Sequence, residues 1–255
     1  MPPYLKQYGE RRTGTNALRA LVAANYDDVI VLMHILGDKH SPPVDLDALW
    51  AAVQGCSDPA WELVSRSTAA ARSLTTRSAD HWQLVEMRRH AAPFGRAFVE
   101  GAFGYLVSIK NPYAWAVSLA RFTRWPRAVA LTRMREACGV FNARYHAWLP
   151  LLESQRRPAL LVRHEDLIGD AEAVLERADR TFGTSRSTTF HAITGVARPA
   201  PWDHDPLPVS PQPFDAGPYL RHEYLHALTA EQQEVVTSAI DWDLMARFGY
   251  TRNDA

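Results

Sequence analysis

Three short stretches of this sequence gather the residue types that handle an anion. The first is Gly9-Glu10-Arg11-Arg12-Thr13-Gly14-Thr15-Asn16. Its two glycines have the spacing of a phosphate-cradling loop, in which turned-in backbone N–H groups and a helix N-terminus meet the anion's oxygens. A loop built for a nucleoside triphosphate would continue Gly-Lys-Ser/Thr, the lysine reaching the outer phosphates and the hydroxyl holding Mg²⁺. Thr15 stands where that lysine would be, and the cations come earlier, as Arg11 and Arg12. Such a loop can bind an anion but lacks the lysine expected of an ATPase or kinase.

The second stretch is Tyr105-Leu-Val-Ser-Ile-Lys110-Asn111-Pro112-Tyr113-Ala-Trp115-Ala-Val-Ser118. A strand delivers the Lys110 cation, Pro112 starts a helix, and Ser118 lies two helical turns along. The third is Gly37-Asp38-Lys39-His40-Ser41-Pro42-Pro43, at the end of a second strand. His40 has the ordinary pKa of a base that works near neutral pH, with Lys39 beside it as a second cation. The alternative for His40 is that it orders its loop or touches a substrate.

The first loop resembles the 5′-phosphosulfate loop of the sulfotransferases that use 3′-phosphoadenosine 5′-phosphosulfate (PAPS). That loop is usually a cation, a small hydroxyl residue, Gly, Thr and a polar residue. By that likeness Arg12 takes the place of the catalytic lysine, with Arg11 beside it, and Thr13, Gly14, Thr15 and Asn16 take the phosphosulfate positions. An arginine there can stabilise charge on the leaving phosphate oxygen but stays protonated, so it donates no proton. The second stretch is similar to the family's 3′-phosphate motif, Arg-Asn-Pro with a serine eight residues after the arginine. Lys110 and Ser118 keep that spacing, with lysine for arginine. Many members carry a lysine and a histidine followed by proline at the second strand end; Lys39 and His40 resemble that pair, one residue tighter. The resemblance implies His40 as the base and Lys39 as an aid at the bridging oxygen.

Two further segments carry the likeness on. Leu161-Val162-Arg163-His164-Glu165-Asp166-Leu167 looks like the family's strand-end Arg-Tyr-Glu-Asp-Leu. Tyr219-Leu220-Arg221 through Tyr224-Leu225, with the ending Asp241-Trp242-Asp243-Leu244-Met245-Ala-Arg-Phe248-Gly249-Tyr250, resembles the C-termini of bacterial members. The Arg-Lys-Gly segment of cytosolic animal members is missing, so closure over a 3′-phosphate must differ. The likeness implies PAPS as cofactor, no metal in the chemistry, and a small-molecule, natural-product or glycan acceptor bearing a hydroxyl or amine. Two rivals use the same loops: a small-molecule kinase, disfavoured by Thr15, and a non-catalytic nucleotide-binding module.

One motif points elsewhere. His222-Glu223-Tyr224-Leu225-His226 fits the H-E-x-x-H pattern of zinc proteases. A zinc site needs both histidines on a sustained helix and a third ligand. Here the capping box Thr229-Ala-Glu-Gln232 opens a new helix three residues later, so no metal site is expected. Cys56 and Cys138, the two cysteines, read as reduced thiols without ligand spacing.

These loops need a scaffold of strand, turn and helix in succession. Short apolar runs at 4–8, 29–36, 105–109 and 159–162 read as strands, and 29–36 (VIVLMHIL) is continuous enough for a buried parallel strand, with His34 a core residue. Helical spacing marks 16–25, 113–122, 133–153 and 230–240. The alternation predicts a three-layer α/β fold of the P-loop type, with a central parallel sheet of about four or five strands flanked by helices. Residues 199–218 hold seven of the 17 prolines and read as an extended loop, a candidate lid. Trp115, Trp148 and Trp242 fall in helical patterns and read as core, whereas Trp61, Trp82 and Trp202 are candidates for an acceptor pocket.

At 255 residues, 47% of them hydrophobic, the chain suits one large domain spanning 1–255. The 28 basic and 28 acidic residues cancel, so no global field favours nucleic acid or an anionic membrane, and an anionic ligand needs a local cluster. No apolar run approaches the roughly 20 residues of a membrane span. The N-terminus lacks a signal-peptide core, and a cytoplasmic location is expected. Only Lys6, Lys39 and Lys110 among the 28 cations are lysines, which makes each of them informative.

Overall fold

Alternation along the first strand sets the layering. In β1 (Tyr4–Gly9), Tyr4 and Tyr8 belong to one hydrophobic core and Leu5 to another, because successive side chains point to opposite faces of a sheet. The computed structural model describes residues 4–33, 38–43, 103–186, 189–192 and 215–252. Within them β1 is followed by α1 (Thr15–Asn25), β2 (Ile30–Leu32), β3 (Phe103–Ile109), α2 (Pro112–Thr123) and α3 (Ala130–Glu153). Then come β4 (Ala159–Arg163), α4 (His164–Gly169), α5 (Ala171–Phe182), α6 (Gly217–Leu220), α7 (Ala230–Ala239) and α8 (Trp242–Ala246). Short 3₁₀ helices cover Arg127–Val129 and Glu223–Ala227.

The four strands form one parallel sheet in the order β2-β1-β3-β4. On one face Tyr4, Tyr8, Tyr105 and Val107 pack with residues of α2, α3, α7 and α8; on the other, Leu5, Leu106, Leu160 and Val162 pack with α1 and α5. Helices thus cover both faces, and the three-layer α/β architecture is the expected one. From β1 the chain passes to β2 on one side, while β3 lies on the other. The order reverses between β1 and β3, so the crevice for a ligand opens at their C-terminal ends.

Helix α3 contributes five buried residues to one core. Met134, Cys138, Phe141, Tyr145 and Trp148 are its buried residues, spaced by alternating fours and threes, which puts one stripe against the sheet. It begins three residues before the predicted 133, directly after the 3₁₀ turn. Asn111 caps α2, accepting from the backbone N–H groups of Tyr113 and Ala114, with Pro112 in the first turn. The predicted capping box on α7 is formed in both directions between Thr229 and Gln232.

The second strand is shorter than predicted. It pairs with β1 only over Ile30–Leu32; at Met33 the carbonyl is taken by the buried Lys6 ammonium at 3.1 Å, so the backbone stops pairing with β1. The predicted loop 199–218 ends sooner, since Pro218 lies within the short helix α6. Residues 199–214, the rest of 29–36 with His34, and Cys56, Trp61, Trp82 and Trp202 lie outside the described residues. Among the described residues no helix is long and apolar enough to cross a membrane.

Candidate functional site

The register Gly9↔Ser108 between β1 and β3 brings the ends of both strands side by side, and with them two sequence motifs about a hundred residues apart. Gly9 has to be glycine: a Cβ there would lie 2.8 Å from Thr15 Cγ2 and 2.9 Å from Ser108 O. After it the chain turns through Glu10–Thr13, closed by the Thr13 N–H to the Glu10 carbonyl at 3.3 Å, with the Thr13 hydroxyl on the same carbonyl at 2.7 Å. Arg12 takes the third position of that turn with φ +72°, a left-handed conformation that usually selects glycine. Gly14 is left-handed too, at φ +85°, and its carbonyl accepts from Leu18 N to open α1. A Cβ at Gly14 would lie 2.8 Å from the His164 ring, so the loop is packed against the residue that follows β4.

The third stretch clamps the first. Gly9 N donates to the Lys39 carbonyl at 3.0 Å, and His40 Nδ1 contacts the Gly9 carbonyl at 2.5 Å. A carbonyl only accepts, so Nδ1 carries the hydrogen and Nε2 is the basic nitrogen of the ring. The buried Lys39 ammonium donates to Asn16 Oδ1 at 2.6 Å, in the first turn of α1. Burial above all, then the Lys39 charge, lowers the His40 pKa to about 4, against the pull of Asp38 and the Gly9 bond. That corrects the near-neutral value expected from an ordinary histidine: the ring is uncharged at pH 7, and it is a weaker base.

The second stretch closes the other side. Arg12 Nε donates to Ser118 Oγ at 3.3 Å, and the guanidinium lies 5.1 Å from the centre of the Phe122 ring. Lys110 is buried at 2% exposure, with its ammonium 4.0 Å from the centre of the Tyr219 ring. Burial lowers its pKa to about 7; Glu165 pulls it up, and Arg12 and Arg121 push it down further. Glu165 is held in turn, accepting from Asn111 N at 3.0 Å and from the Tyr250 hydroxyl at 2.5 Å. His164 is buried beside these cations, and burial, then Lys110 and Arg12, keep its pKa well below the usual range. Its ring meets Tyr219 edge-on at 5.4 Å.

Of the tryptophans read as core, Trp115 and Trp148 are buried and each also ties down a loop, whereas Trp242 is half-buried and its Nε1 donates to the Thr237 carbonyl at 2.9 Å. Trp115 Nε1 donates to the Arg11 carbonyl and Trp148 Nε1 to the Ser41 carbonyl, each at 3.0 Å. Tyr145, also on α3, donates to the Ser108 carbonyl at 2.7 Å. Glu10 is taken by Arg144 of α3 and by the Arg11 N–H, so its carboxylate is committed to holding the loop.

The structure therefore brings together Arg12, Thr13, Gly14, Thr15 and Asn16 with Lys39, His40, Lys110 and Ser118; Arg11 and Arg12 are both exposed. It adds His164, Glu165, Tyr219 and Tyr250, which sequence reasoning quoted as similar segments without giving them a place at the site. It also adds Arg144, which no sequence signal marked. His222 sits left-handed at φ +58° before the 3₁₀ helix Glu223–Ala227, so the H-E-x-x-H residues follow no sustained α-helix, and the described residues hold no cluster of three metal-ligating groups. Cys138 lies in the core, where burial pushes its thiol up to about 12.

No family model and no curated protein matches the chain. Among solved structures it is similar to the sulfotransferase domain from the Synechococcus PCC 7002 olefin synthase, over 98% of this chain and 95% of that one, at 16% identity and a TM-score of 0.48. At that identity and score the functional reading rests on the geometry.

Proposed function

We propose that the protein transfers a sulfuryl group from PAPS to a hydroxyl or amine of a small-molecule, natural-product or glycan acceptor. The observation that carries this is the meeting of Arg12 with Ser118, beside buried Lys110, at the crevice where the sheet order reverses. A glycine-turned loop suited to one anionic group and a buried cation with a hydroxyl suited to another fit a nucleotide charged at both its 5′ and 3′ positions. Two features support the fit. Gly14 turns left-handed just before α1 with the His164 ring packed against it, and Lys110 is a desolvated amine whose charged form an added anion would stabilise. Thr15 in place of the triphosphate-loop lysine speaks against ATP.

PAPS would supply the activated sulfuryl group and the phosphate that leaves with the bridging oxygen. Gly14, Thr15 and Asn16 would hold the phosphosulfate through backbone N–H groups and the Thr15 hydroxyl at the start of α1, and Thr13, whose N–H and hydroxyl both go to the Glu10 carbonyl, would shape the loop around it. Lys110 and Ser118 would hold the 3′-phosphate. His40 Nε2 would take the proton from the acceptor as its oxygen or nitrogen bonds to sulfur and the sulfur–oxygen bond to phosphate breaks. Arg12 would meet the charge left on that phosphate. Lys39 reaches the same loop through Asn16, so any help at the bridging oxygen would come alongside a positioning role.

The test is a comparison of adenosine 3′,5′-bisphosphate, AMP and ATP with Mg²⁺ by thermal shift and calorimetry. The bisphosphate should stabilise the fold by about 2.7 kcal/mol at a hundred times its Kd, and AMP at the same concentration far less. Equal stabilisation by both would remove the 3′-phosphate role. Turnover is read as release of adenosine 3′,5′-bisphosphate from PAPS across a panel of acceptors.

A further inference from the structure

A phosphomonoester is a dianion, and the two groups assigned to it are one amine and one hydroxyl. Near neutral pH the amine of Lys110 is charged only part of the time. A second, permanent cation would complete the pocket, and the structure holds a candidate. Arg121 lies on α2 three residues after Ser118, so the two share a face of that helix. Its charge is felt at Lys110. Its side chain lines a cavity of about 380 Å³ with Val117, Pro218, Tyr219 and Tyr224. Tyr219 is also the ring that stands over the Lys110 ammonium, so the cavity adjoins the buried lysine.

Arg121 is exposed and makes no hydrogen bond or ion pair among the described residues. Two carboxylates line the same cavity, and both are engaged elsewhere. Glu223 accepts from Arg221 Nε at 2.6 Å, and Asp215 accepts from Gly217 N at 3.0 Å. The cation among the residues that line this space is the Arg121 guanidinium.

We propose that Arg121 is the second cation for the nucleotide's 3′-phosphate, which sits between Lys110, Ser118 and Arg121 at the cavity mouth that Tyr219 borders. This rests on the reading of the site as one for a nucleoside 3′,5′-bisphosphate. The division of labour is physical: Lys110 titrates near neutral pH, whereas a guanidinium stays charged at every working pH. Arg121 therefore keeps the 3′-phosphate bound where Lys110 has lost its proton.

The experiment measures Kd for adenosine 3′,5′-bisphosphate and for AMP, by calorimetry, across pH, for the wild type, Arg121→Ala, Arg121→Lys and Lys110→Ala. Arg121→Ala should weaken the bisphosphate by about tenfold or more and leave AMP unchanged. Its preference for the bisphosphate should also fall more steeply above about pH 7 than that of the wild type, since Lys110 is then the remaining cation. Arg121→Lys should recover part of the preference. The side chain is exposed and uncommitted, so the variant should fold as the wild type does. If Arg121→Ala keeps the wild-type preference at every pH while Lys110→Ala loses it, Arg121 has no such role and the nucleotide reading stands. If the wild type itself does not prefer the bisphosphate, the nucleotide reading fails and the role of Arg121 falls with it.

Discussion

Arg12 and Ser118, 106 residues apart in the chain, are joined by a 3.3 Å hydrogen bond from Nε to Oγ. The bond ties the turn after β1 to the helix after β3, so neither half of the site is free to drift from the other. It occupies one of the five N–H groups of the guanidinium and leaves the remainder for an anion. Arg12→Ala should therefore lower kcat by about 10²–10³-fold, more than it weakens ground-state binding of PAPS. Arg12→Lys should restore part of the rate, because a cation returns without the fork. Steady-state kinetics beside calorimetric binding separates the two effects.

The backbone of Arg12 gives a second prediction. Its φ of +72° is one that glycine adopts without cost. Arg12→Gly should be at least as stable as the wild type in urea while losing turnover. A marked loss of stability would mean that the side chain holds the loop together.

For His40 the expectation is a neutral base. His40→Ala should cut turnover by about 10²–10⁴-fold with little change in PAPS affinity. The acidic limb of the wild-type kcat/KM profile should lie near its lowered pKa of about 4 and vanish in the variant. Stability carries the same signature. Between about 4 and the ordinary 6.5, the unfolded chain binds this proton and the folded chain does not, so acid in that window costs stability that His40→Ala should recover. A variant that keeps both its rate and its acidic limb would assign the proton to another group.

Lys110 should make ligand binding depend on pH in the opposite range. Its folded pKa is about 7 against 10.5 unfolded, so between those values the unfolded chain binds the extra proton and stability rises with pH. An anion beside the amine restores its charge. Binding of adenosine 3′,5′-bisphosphate at about pH 8 should then take up a proton, seen as a heat that changes with the buffer's ionisation enthalpy. Lys110→Ala should abolish the uptake and weaken binding by the roughly 1.5–3 kcal/mol of a charge-assisted bond. A binding heat independent of buffer would refute the assignment.

The fifth test compares two left-handed glycines. Gly183 has φ +65° and nothing within 4 Å of a Cβ, whereas Gly14 has φ +85° and the His164 ring 2.8 Å away. Alanine at either should cost about 1–2 kcal/mol for the backbone. Only Gly14→Ala should add a steric term and disturb ligand binding. Equal losses in urea denaturation would show that His164 yields at no cost.

The loops at Gly9–Asn16, Lys39–His40 and Lys110–Ser118 were legible because each keeps its chemistry within a few residues, next to a strand end. Their meeting was legible too, once the parallel alternation of strand and helix was read. His164, Glu165, Tyr219 and Tyr250 were seen only as similar segments, because what brings them to Lys110 is packing between distant elements. The His40 pKa was misjudged for a related reason. Desolvation is the largest effect on it, and a sequence does not state how deeply a loop residue is buried. The end of β2 depended on Lys6 capturing the Met33 carbonyl, which alternation of apolar residues does not encode. The lysine bias was the more reliable clue: in a chain that otherwise uses arginine, all three lysines are buried within or beside the sheet.

That burial has a practical side. Lys6, Lys39 and Lys110 show 0%, 4% and 2% of their surface, so the folded protein offers amine-reactive reagents almost no lysine at all. Acylation of a lysine then records an opening of the structure, and tags counted by mass against time give the rate at which molecules expose their interior. Lys110 should lag behind the other two when the crevice is filled, so one labelling series would read global opening and ligand occupancy together.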